Sequence, residues 1–241
     1  MLLAIDAGNT SVKLGYHDGL TWHAQQRVRL SEFYLDPKRF LAHPFDQIFI
    51  ANVAGPAFRR AMEATLPTHA IHWVQATASA CGVSNGYQQP EQLGSDRWAM
   101  LIAARAIMQQ ACLVVSLGTT LTADALSAQG EFLGGCIAPG AQLMRAALAQ
   151  GAHAIQSTPG NLRHFPDNTA DAVETGIIQA LLGVVASMQS QAEASTQSTW
   201  PIILSGGDAQ LLRPHLNNAV QVVDNLVLDG LVRIAQEEKV T

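Results

Sequence analysis

Residues Asp6–Lys13 (DAGNTSVK) combine an acid, a glycine, hydroxyls and a lysine directly after the apolar run Leu2–Ile5. An apolar run that stops at a small-residue turn predicts a buried strand and a tight hairpin. The glycine in this turn lets backbone N–H groups approach an anion, because no Cβ intervenes. The segment therefore predicts a phosphate-binding turn, with further donors and positive charge from Gly8, Asn9, Thr10, Ser11 and Lys13.

Asp6 stands where the predicted strand ends, a position suited to holding a hydrated Mg²⁺ beside nucleotide phosphates. The alternative interpretation is an ordinary hairpin with a turn rich in Gly, Asn and Ser.

A second segment of the same kind, Leu113–Asp124 (LVVSLGTTLTAD), favours the phosphate interpretation. An apolar strand again enters a small-residue turn, Gly118-Thr119-Thr120, and the chain continues as a strand toward an acid. Two such segments in one chain suggest two similar half-structures that face each other across a cleft. Neither matches the Walker pattern or G-x-G-x-x-G, which argues against a P-loop or Rossmann site.

Between these segments, Tyr87 and the run Gly94-Ser95-Asp96-Arg97 carry further candidate chemistry. Tyr87 offers a ring with a hydroxyl, Asp96 is a candidate general base, and Arg97 is a candidate anion clamp. Capping of the following helix by Ser95 or Asp96 is the alternative interpretation. Capping does not account for Tyr87, Gly94 and Arg97 together.

The order of predicted elements indicates an α/β fold built from two similar halves. Three strands followed by alternating helix and strand is the order of a ribonuclease-H-like half-domain, and the second half repeats it. We predict an N-terminal domain over residues 1–111 and a C-terminal domain over residues 112–241. The predicted strands and helices are Leu2–Ile5, Val12–Gly15, Thr21–Val28, Phe45–Val53, Pro56–Leu66, Ile71–Val74, Trp98–Gln110, Leu113–Val115, Leu121–Leu126, Gly130–Ile137, Gly140–Ala149, Asn168–Met188 and Ile202–Leu204, with helices closing the chain.

Two segments are less regular in this scheme. Ser31–His43 has a mixed helical pattern that Pro37 interrupts. The helix Trp98–Gln110 is dense in small apolar residues, which predicts packing at a two-fold interface.

The composition of the 241 residues argues against several classes of partner. A net charge of −5 without a Lys/Arg cluster disfavours nucleic acid. No apolar run reaches the ~18 residues of a membrane span, and no basic segment typical of a signal peptide precedes the first strand. Cys81, Cys112 and Cys136 lie far apart, which disfavours zinc and predicts reduced thiols. We therefore expect a cytoplasmic protein.

Taken together, these residues resemble those of type III pantothenate kinases. The resemblance runs from Asp6 to at least Gly207, most of the chain. Five pieces occur in that family's order: Asp6-x-Gly8-Asn9-Thr10, Tyr87 with Gly94-x-Asp96-Arg97, Gly118-Thr119, Leu133-Gly134-Gly135-x-Ile137-x-Pro139-Gly140, and Asn168-Thr169. The resemblance implies the acetate and sugar kinase/heat-shock 70/actin fold, with two ribonuclease-H-like half-domains facing a central cleft. It also implies a homodimer that phosphorylates pantothenate with ATP, the first step of coenzyme A biosynthesis.

The resemblance further implies roles for individual residues. ATP phosphates and Mg²⁺ would be bound by Asp6, Gly8, Asn9, Thr10, Ser11 and Lys13, with Thr119 as an additional ATP contact. Pantothenate would be bound by Tyr87, Gly94, Ser95, Asp96, Arg97 and Thr169, with Asp96 as the general base. Leu133–Gly140 would be structural and on the ATP side, with Pro139 starting a helix. Ser205-Gly206-Gly207 resembles the superfamily's adenosine turn, although a generic strand–helix turn accounts for it nearly as well.

The chain departs from the family's pattern at Ser116. The resemblance implies an acid there, two residues before the glycine of Gly-Thr, as a ligand for a monovalent cation such as K⁺ or NH₄⁺. A neutral hydroxyl is a far weaker cation ligand than a carboxylate. We therefore predict no metal site at Ser116, and the sequence leaves the need for a monovalent cation open.

Two other functions fit the same fold. One is a kinase for another small-molecule alcohol, or a polyphosphate or nucleotide phosphatase of the superfamily. The other is a regulatory or binding protein with weakened catalysis, of which Ser116 would be the first sign. Asp6, Thr119 and Asp96 argue against lost catalysis. Tyr87 with Gly94-x-Asp96-Arg97 favours pantothenate as the acceptor.

Overall fold

The computed structural model describes residues 1–41, 43–67, 71–152, 158–216 and 219–238. The chain forms two compact units, each drawn from separate stretches of sequence. Unit 1 contains residues 1–110, 128–133 and 225–241, and unit 2 contains residues 111–127 and 134–224. The division into domains 1–111 and 112–241 stays a prediction.

The strands and helices of the described residues follow in chain order: β1 (Leu2–Ala7), β2 (Ser11–His17), β3 (Trp22–Arg29), α1 (Leu30–Phe33), β4 (Gln47–Asn52), α2 (Pro56–Thr65), β5 (Ile71–Trp73), β6 (Ser79–Ala80), β7 (Val83–Asn85), α3 (Ser95–Ile107), β8 (Cys112–Leu117), β9 (Thr120–Leu126), β10 (Glu131–Pro139), α4 (Ala141–Gly151), α5 (Thr169–Thr196), β11 (Ile202–Ser205), α6 (Ala209–Leu212), β12 (Val220–Val222) and α7 (Leu226–Glu238). Short 3₁₀ turns lie at Pro37–Phe40, Pro90–Gln92 and Arg213–His215.

Unit 1 contains a five-stranded sheet in the order β3-β2-β1-β4-β5. The first three strands are antiparallel, while β4 and β5 extend the sheet in parallel from β1. Every residue of the central strand β1 is buried. A strand covered on both faces has no solvated side to mark with polar residues, which explains its continuous apolar run.

Helices cover this sheet and bury its apolar side chains. Leu3 and Ile5 pack with Phe58 and Met62 of α2. Helices α3 and α7 pack on the sheet and on each other. The two helices approach so closely that a Cβ at Gly230 would lie 1.9 Å from a backbone oxygen of α3. The small apolar residues of α3 therefore pack against α7 within the same chain, and the two-fold interface at this helix stays a prediction.

Unit 2 repeats the strand order of unit 1, as β10-β9-β8-β11-β12. Strands β8 and β9 are antiparallel, and β11 pairs in parallel with both β8 and β12. Its core includes Leu113, Val115 and Leu117 from one face of β8, with Leu181 and Val185 from α5. The two predicted half-structures are therefore confirmed as repeats of one strand topology.

Helix α5 is the one helix in the described part of the chain that is long and apolar enough to cross a membrane by length and composition. The core helices of soluble proteins pass the same test, and α5 contributes Ile177, Leu181 and Val185 to the core of unit 2.

The predicted elements differ from the structure in a few places. The short strands β6, β7 and β12 were not predicted. Pro139 ends β10 instead of starting a helix, and α4 begins at Ala141. The segment Ser31–His43 forms only the end of α1 and a 3₁₀ turn, and Ala42 lies outside the described residues.

Candidate active site

The turn between β1 and β2 forms as the small-residue pattern predicted. The strands stay in register up to the pair Ala7 and Val12, and the Gly8 N–H donates a hydrogen bond to the Ser11 carbonyl oxygen at 3.1 Å. Asn9 and Thr10 are exposed at the tip. The turn thus presents its polar side chains to solvent, while the strand positions on either side of it are ordered by the sheet.

Asp6 and Lys13 are cross-strand partners at the base of this turn. Lys13 Nζ lies 3.7 Å from Asp6 Oδ2, and the Asp6 residue is 9% exposed. Burial raises the pKa of Asp6 to about 6, against the opposing effect of Lys13 and with a further increase from the nearby Asp96 charge. A buried carboxylate with a raised pKa is stabilised by an added cation.

The chemistry of these groups fits a magnesium ion that also binds substrate phosphates. Mg²⁺ is held through one or two carboxylates together with phosphate oxygens, so it does not need a cage of protein ligands. The described residues contain no cluster of three or more His, Cys, Asp or Glu side chains suited to a metal. Asp6, with Asp96 close enough to perturb its pKa, offers the carboxylates that such a shared ion requires.

Asp96 occupies the first turn of α3, where the helix dipole favours negative charge. Its Oδ1 accepts a hydrogen bond from the Arg97 N–H at 2.8 Å, and a Cβ at Gly94 would lie 2.7 Å from the same oxygen. A larger residue at 94 would therefore push the carboxylate aside. Burial raises the pKa of Asp96, which brings this carboxylate closer to the range useful for a general base.

The capping alternative for Ser95 and Asp96 is only partly supported. Gly94 is the N-cap of α3 and makes no side-chain cap bond. The Asp96 carboxylate does satisfy one N–H of the first turn, that of Arg97. Ser95 is buried, and its Oγ has no hydrogen-bond partner within the described residues. A buried hydroxyl without a hydrogen-bond partner lowers the stability of the fold, which makes Ser95 Oγ a candidate to bind a ligand.

Tyr87 and Arg97 form one contact pair. Arg97 Nη1 donates a hydrogen bond to the Tyr87 hydroxyl at 3.0 Å, and the guanidinium carbon lies 5.8 Å from the centroid of the tyrosine ring. Arg97 is 4% exposed. The buried cation is thus oriented by an aromatic side chain that the sequence placed in the same candidate site.

In unit 2, three predicted pieces meet around the turn Gly118-Thr119. The Gly140 N–H donates to the Thr119 carbonyl oxygen at 2.9 Å, and a Cβ at Gly140 would lie 2.2 Å from the Gly118 oxygen. Gly206, with φ of +101°, packs as closely on the Leu117 oxygen. Gly140 and Gly206 are therefore required by backbone packing against this turn.

Ser116 lies in the base of that turn, opposite Thr122 on β9. Thr122 is buried, and its Oγ1 has no hydrogen-bond partner within the described residues. Asp124, two residues further along the strand, is fully buried. The position predicted to lack a metal site is thus occupied by two neutral hydroxyls from adjacent strands.

Thr169 is the exposed first residue of α5, directly after the helix cap. Asn168 caps the helix by accepting a hydrogen bond from the Asp171 N–H at 2.9 Å. Asp171 also accepts from the Asn161 N–H at 2.7 Å, which ties the preceding loop to the helix. Thr169 borders a cavity of about 1070 Å³ in unit 2, lined largely by apolar side chains of α4 and α5 such as Leu143, Met144 and Ile177.

The structure brings many of the predicted site residues together in unit 1: Asp6, Gly8, Asn9, Thr10, Ser11, Lys13, Tyr87, Gly94, Ser95, Asp96 and Arg97. Thr119 and Thr169 belong to unit 2. Two further residues were missed. Arg27 donates to Ser11 Oγ at 3.1 Å and lowers the pKa of Asp6, and Phe132 contacts Tyr87 and Arg97. The only sequence signal for Arg27 was its place on a strand that pairs with the turn.

The repeated strand order places the chain in a known structural class. A Baf family protein from Campylobacter jejuni superposes with a TM-score of 0.69 at 20% identity, covering 99% of this chain and 100% of its own. A candidate 2-dehydro-3-deoxygalactonokinase from Sinorhizobium meliloti superposes with a TM-score of 0.64 at 17% identity, covering 98% of both chains. At these identities the likeness shows the fold alone, which is that of the sugar kinase and actin superfamily.

Sequence comparison narrows the class to a family. The family model for type III pantothenate kinase matches residues 2–191. A type III pantothenate kinase from Nitrosospira multiformis is 42% identical over 100% of this chain and 93% of its own length. One from Aromatoleum aromaticum is 41% identical over 99% of both. The chain belongs to the type III pantothenate kinase family and is a phosphotransferase.

Proposed function

We propose that this protein transfers the γ-phosphoryl group of ATP to the primary hydroxyl of pantothenate, forming 4'-phosphopantothenate in the first step of coenzyme A biosynthesis. The observation that carries the proposal is the convergence of Asp6, Lys13 and Asp96 in unit 1. Phosphoryl transfer depends on positioning and charge neutralisation, and these residues supply a metal-binding acid, a cation and a candidate base.

The turn Asp6–Lys13 holds the ATP phosphates in this proposal. Backbone N–H groups near Gly8 and the side chains of Asn9, Thr10, Ser11 and Lys13 supply donors and positive charge. Asp6 would hold Mg²⁺, and the ion would supply positive charge that neutralises the phosphates. The raised pKa of Asp6 supports this role, because the cation offsets the cost of burying the ionised carboxylate.

Asp96 acts as the general base. It accepts the proton from the substrate hydroxyl as that oxygen attacks the γ-phosphorus, and the bond from phosphorus to the bridging oxygen of ADP breaks. Its place at the start of α3 and its raised pKa support the assignment. The backbone bond from Arg97 orients the carboxylate while leaving its second oxygen for the substrate.

Tyr87, Gly94, Ser95 and Arg97 bind pantothenate. Pantothenate carries a carboxylate at the end opposite its primary hydroxyl, and a guanidinium suits either that carboxylate or a phosphate oxygen. The buried pair of Arg97 and Tyr87 supports a fixed recognition point of this kind. Ser95 Oγ, buried without a partner in the described residues, is available to a bound ligand.

Thr119 and Thr169 of unit 2 contact ATP and pantothenate, respectively, in this proposal. We also propose a homodimer in the cytoplasm. The support is the large apolar cavity between α4 and α5, beside which Leu143 is 43% exposed. Burial of such an apolar surface in a second copy of the chain is favourable.

An ATP-dependent assay with pantothenate, with and without added K⁺, tests the proposed reaction. Formation of 4'-phosphopantothenate and ADP in equal amounts is expected. A panel of other alcohols measured in parallel identifies the preferred acceptor. Turnover of ATP only with another alcohol would contradict pantothenate as substrate, and no turnover with any acceptor would favour a binding protein.

A further inference from the structure

Phe132 lies beside two proposed substrate-binding residues although it is far from both in sequence. Its ring is fully buried, and its centroid is 5.2 Å from that of Tyr87. The Arg97 guanidinium carbon lies 5.7 Å from the Phe132 centroid, as it lies 5.8 Å from that of Tyr87. The guanidinium therefore contacts two aromatic rings at once.

The backbone fixes Phe132 independently of Arg97. Strand β10 pairs in parallel with β7, with Phe132 opposite Asn85. The neighbouring Gly86 approaches so closely that a Cβ there would lie 2.2 Å from the Phe132 carbonyl oxygen. Strand pairing and this contact fix the backbone of Phe132, and complete burial restricts its ring. Phe132 is therefore a rigid platform for the side chains that contact it.

Strand β7 also fixes the backbone of Tyr87, through the side chain of Asn85. Asn85 Oδ1 accepts a hydrogen bond from the Tyr87 N–H at 3.1 Å, and Asn85 Nδ2 donates to the Pro90 oxygen at 3.1 Å. Tyr87 is thus held at its backbone by Asn85 and at its ring by Phe132. Its hydroxyl then accepts the bond from Arg97.

Arg97 needs such support because it is a long charged side chain in a buried position. A desolvated guanidinium is stabilised over aromatic faces by the ring quadrupoles. An arginine also has many rotamers, and fixing one of them costs entropy unless its surroundings restrict it in advance. Removing the Phe132 ring would take away one of the two faces and leave space into which the guanidinium could turn.

We propose that Phe132 is a positioning residue for the acceptor substrate. It orients Arg97 and Tyr87 for pantothenate without touching pantothenate itself. The inference rests on the proposed roles of Arg97 and Tyr87. It adds Phe132 as a residue that determines specificity for pantothenate through these two side chains.

The test replaces the ring by aliphatic side chains of two different volumes, in Phe132→Met and Phe132→Leu. Each variant is compared with the same substitution at Phe58. Phe58 is a matched control because it is also fully buried in unit 1, with its ring 5.4 Å from that of Phe33, and the proposed site does not include it. We expect both Phe132 variants to raise KM for pantothenate about tenfold, with KM for ATP within about twofold of wild type. The Phe58 variants should lose similar thermal stability and keep both KM values.

A second measurement asks whether Phe132 acts through Arg97. In an Arg97→Ala background, Phe132→Met should raise KM for pantothenate by clearly less than tenfold, because one of the two side chains that it orients is gone. Phe132→Tyr retains the ring and should stay within about twofold of wild type.

Three results would overturn the inference: equal increases in both KM values, the same increase in the Phe58 variants, or a full tenfold effect in the Arg97→Ala background. Thermal unfolding shows which variants fold. If the Leu variants fail to fold, the Met variants at Phe132 and Phe58 can still be compared, and the reverse. Failure of the wild type to phosphorylate pantothenate would contradict the proposed function instead.

Discussion

The two Gly turns of this protein have the same backbone plan but different charge. Each joins the first two antiparallel strands of its unit, with Asp6 two residues before Gly8 and Ser116 two residues before Gly118. Asp6 faces Lys13 across the strands, whereas Ser116 faces Thr122. The repeated topology therefore supplies two Gly turns of one plan, and among the described residues an ion pair joins the paired strand positions at the turn of unit 1.

This difference shows that the fold and the chemistry are specified separately. Glycines at 140 and 206 are needed for close backbone packing in unit 2, whatever the charge at position 116. In unit 1, burial of Asp6 beside Lys13, Arg27 and Asp96 raises the pKa of its carboxyl, so keeping the charge there has a cost in stability. The proposed phosphoryl transfer would use these charges. We call the turn between Asp6 and Lys13 the charged turn and the turn between Ser116 and Thr122 the neutral turn. We expect substitutions in the charged turn to affect the reaction more than those in the neutral turn.

The largest effect is expected at Asp96. Asp96→Asn should lower kcat by about 10²–10⁴-fold, because an amide cannot accept the substrate proton. Asp229→Asn is a matched control, since burial also raises the pKa of this unit 1 acid, which lies on α7 outside the proposed site. Steady-state kinetics with folded proteins measures both. Wild-type kcat in Asp96→Asn would remove this residue from the role of base.

A smaller effect is expected at Asp6. Asp6→Asn should lower kcat/KM for ATP by about 10²-fold and raise the Mg²⁺ concentration needed for half-maximal rate, because the variant loses an anionic metal ligand. Magnesium titrations at fixed ATP measure the effect. Thr119→Ala in the neutral turn should lower kcat/KM for ATP only about tenfold or less, which is the scale of one lost hydrogen bond. An equal or larger loss at Thr119 would reverse the comparison between the turns.

Asp6 also predicts a pH dependence of stability in metal-free protein. Burial raises the pKa of Asp6 from its ordinary value of 3.8 to about 6 in the folded state, so the folded protein binds the proton more tightly than the unfolded chain. The free energy of unfolding should therefore fall as the pH rises from about 4 to about 6, by at most about 3 kcal/mol from this group.

Denaturant unfolding in EDTA, for wild type and Asp6→Asn across this range, isolates the contribution of Asp6. The variant should gain stability relative to wild type as the pH rises. Added Mg²⁺ at neutral pH should stabilise wild type more than the variant. A difference between the two proteins that does not change with pH would show that Asp6 is not destabilised by burial.

The smallest effect is expected from adding a charge to the neutral turn. Ser116→Asp introduces the acid that the resemblance implies at this position. We expect added K⁺ to raise the rate of this variant a few-fold, and the rate of the wild type by less. The measurement is the initial rate in K⁺ against a larger cation such as tetramethylammonium at equal ionic strength. Ser127→Asp, a buried serine of the same unit, serves as the control for the cost of a new charge. Equal K⁺ responses in Ser116→Asp and wild type would contradict this prediction.

Much of the fold could be predicted because the apolar runs and turns are local signals. The continuous run Leu2–Ile5 indicated a strand buried on both faces, and the strand is central in its sheet. The short strands β6, β7 and β12 could not be predicted, because two or three residues are too few to show a period. The small apolar residues of α3 predicted a two-fold interface, and in the structure they pack against α7 of the same chain. Their pattern shows close helix packing, but it carries no information on which helix packs there.

The sequence by itself determined which residue types are available for chemistry, where the two Gly turns lie, and which family the resemblance implied. Only the tertiary structure decided which side chains contact these residues. Arg27 donates to Ser11, Phe132 packs against Arg97, and Lys13 pairs with Asp6. The physical reason is that burial and electrostatic coupling depend on distances between side chains, and strand pairing, not separation along the chain, sets those distances.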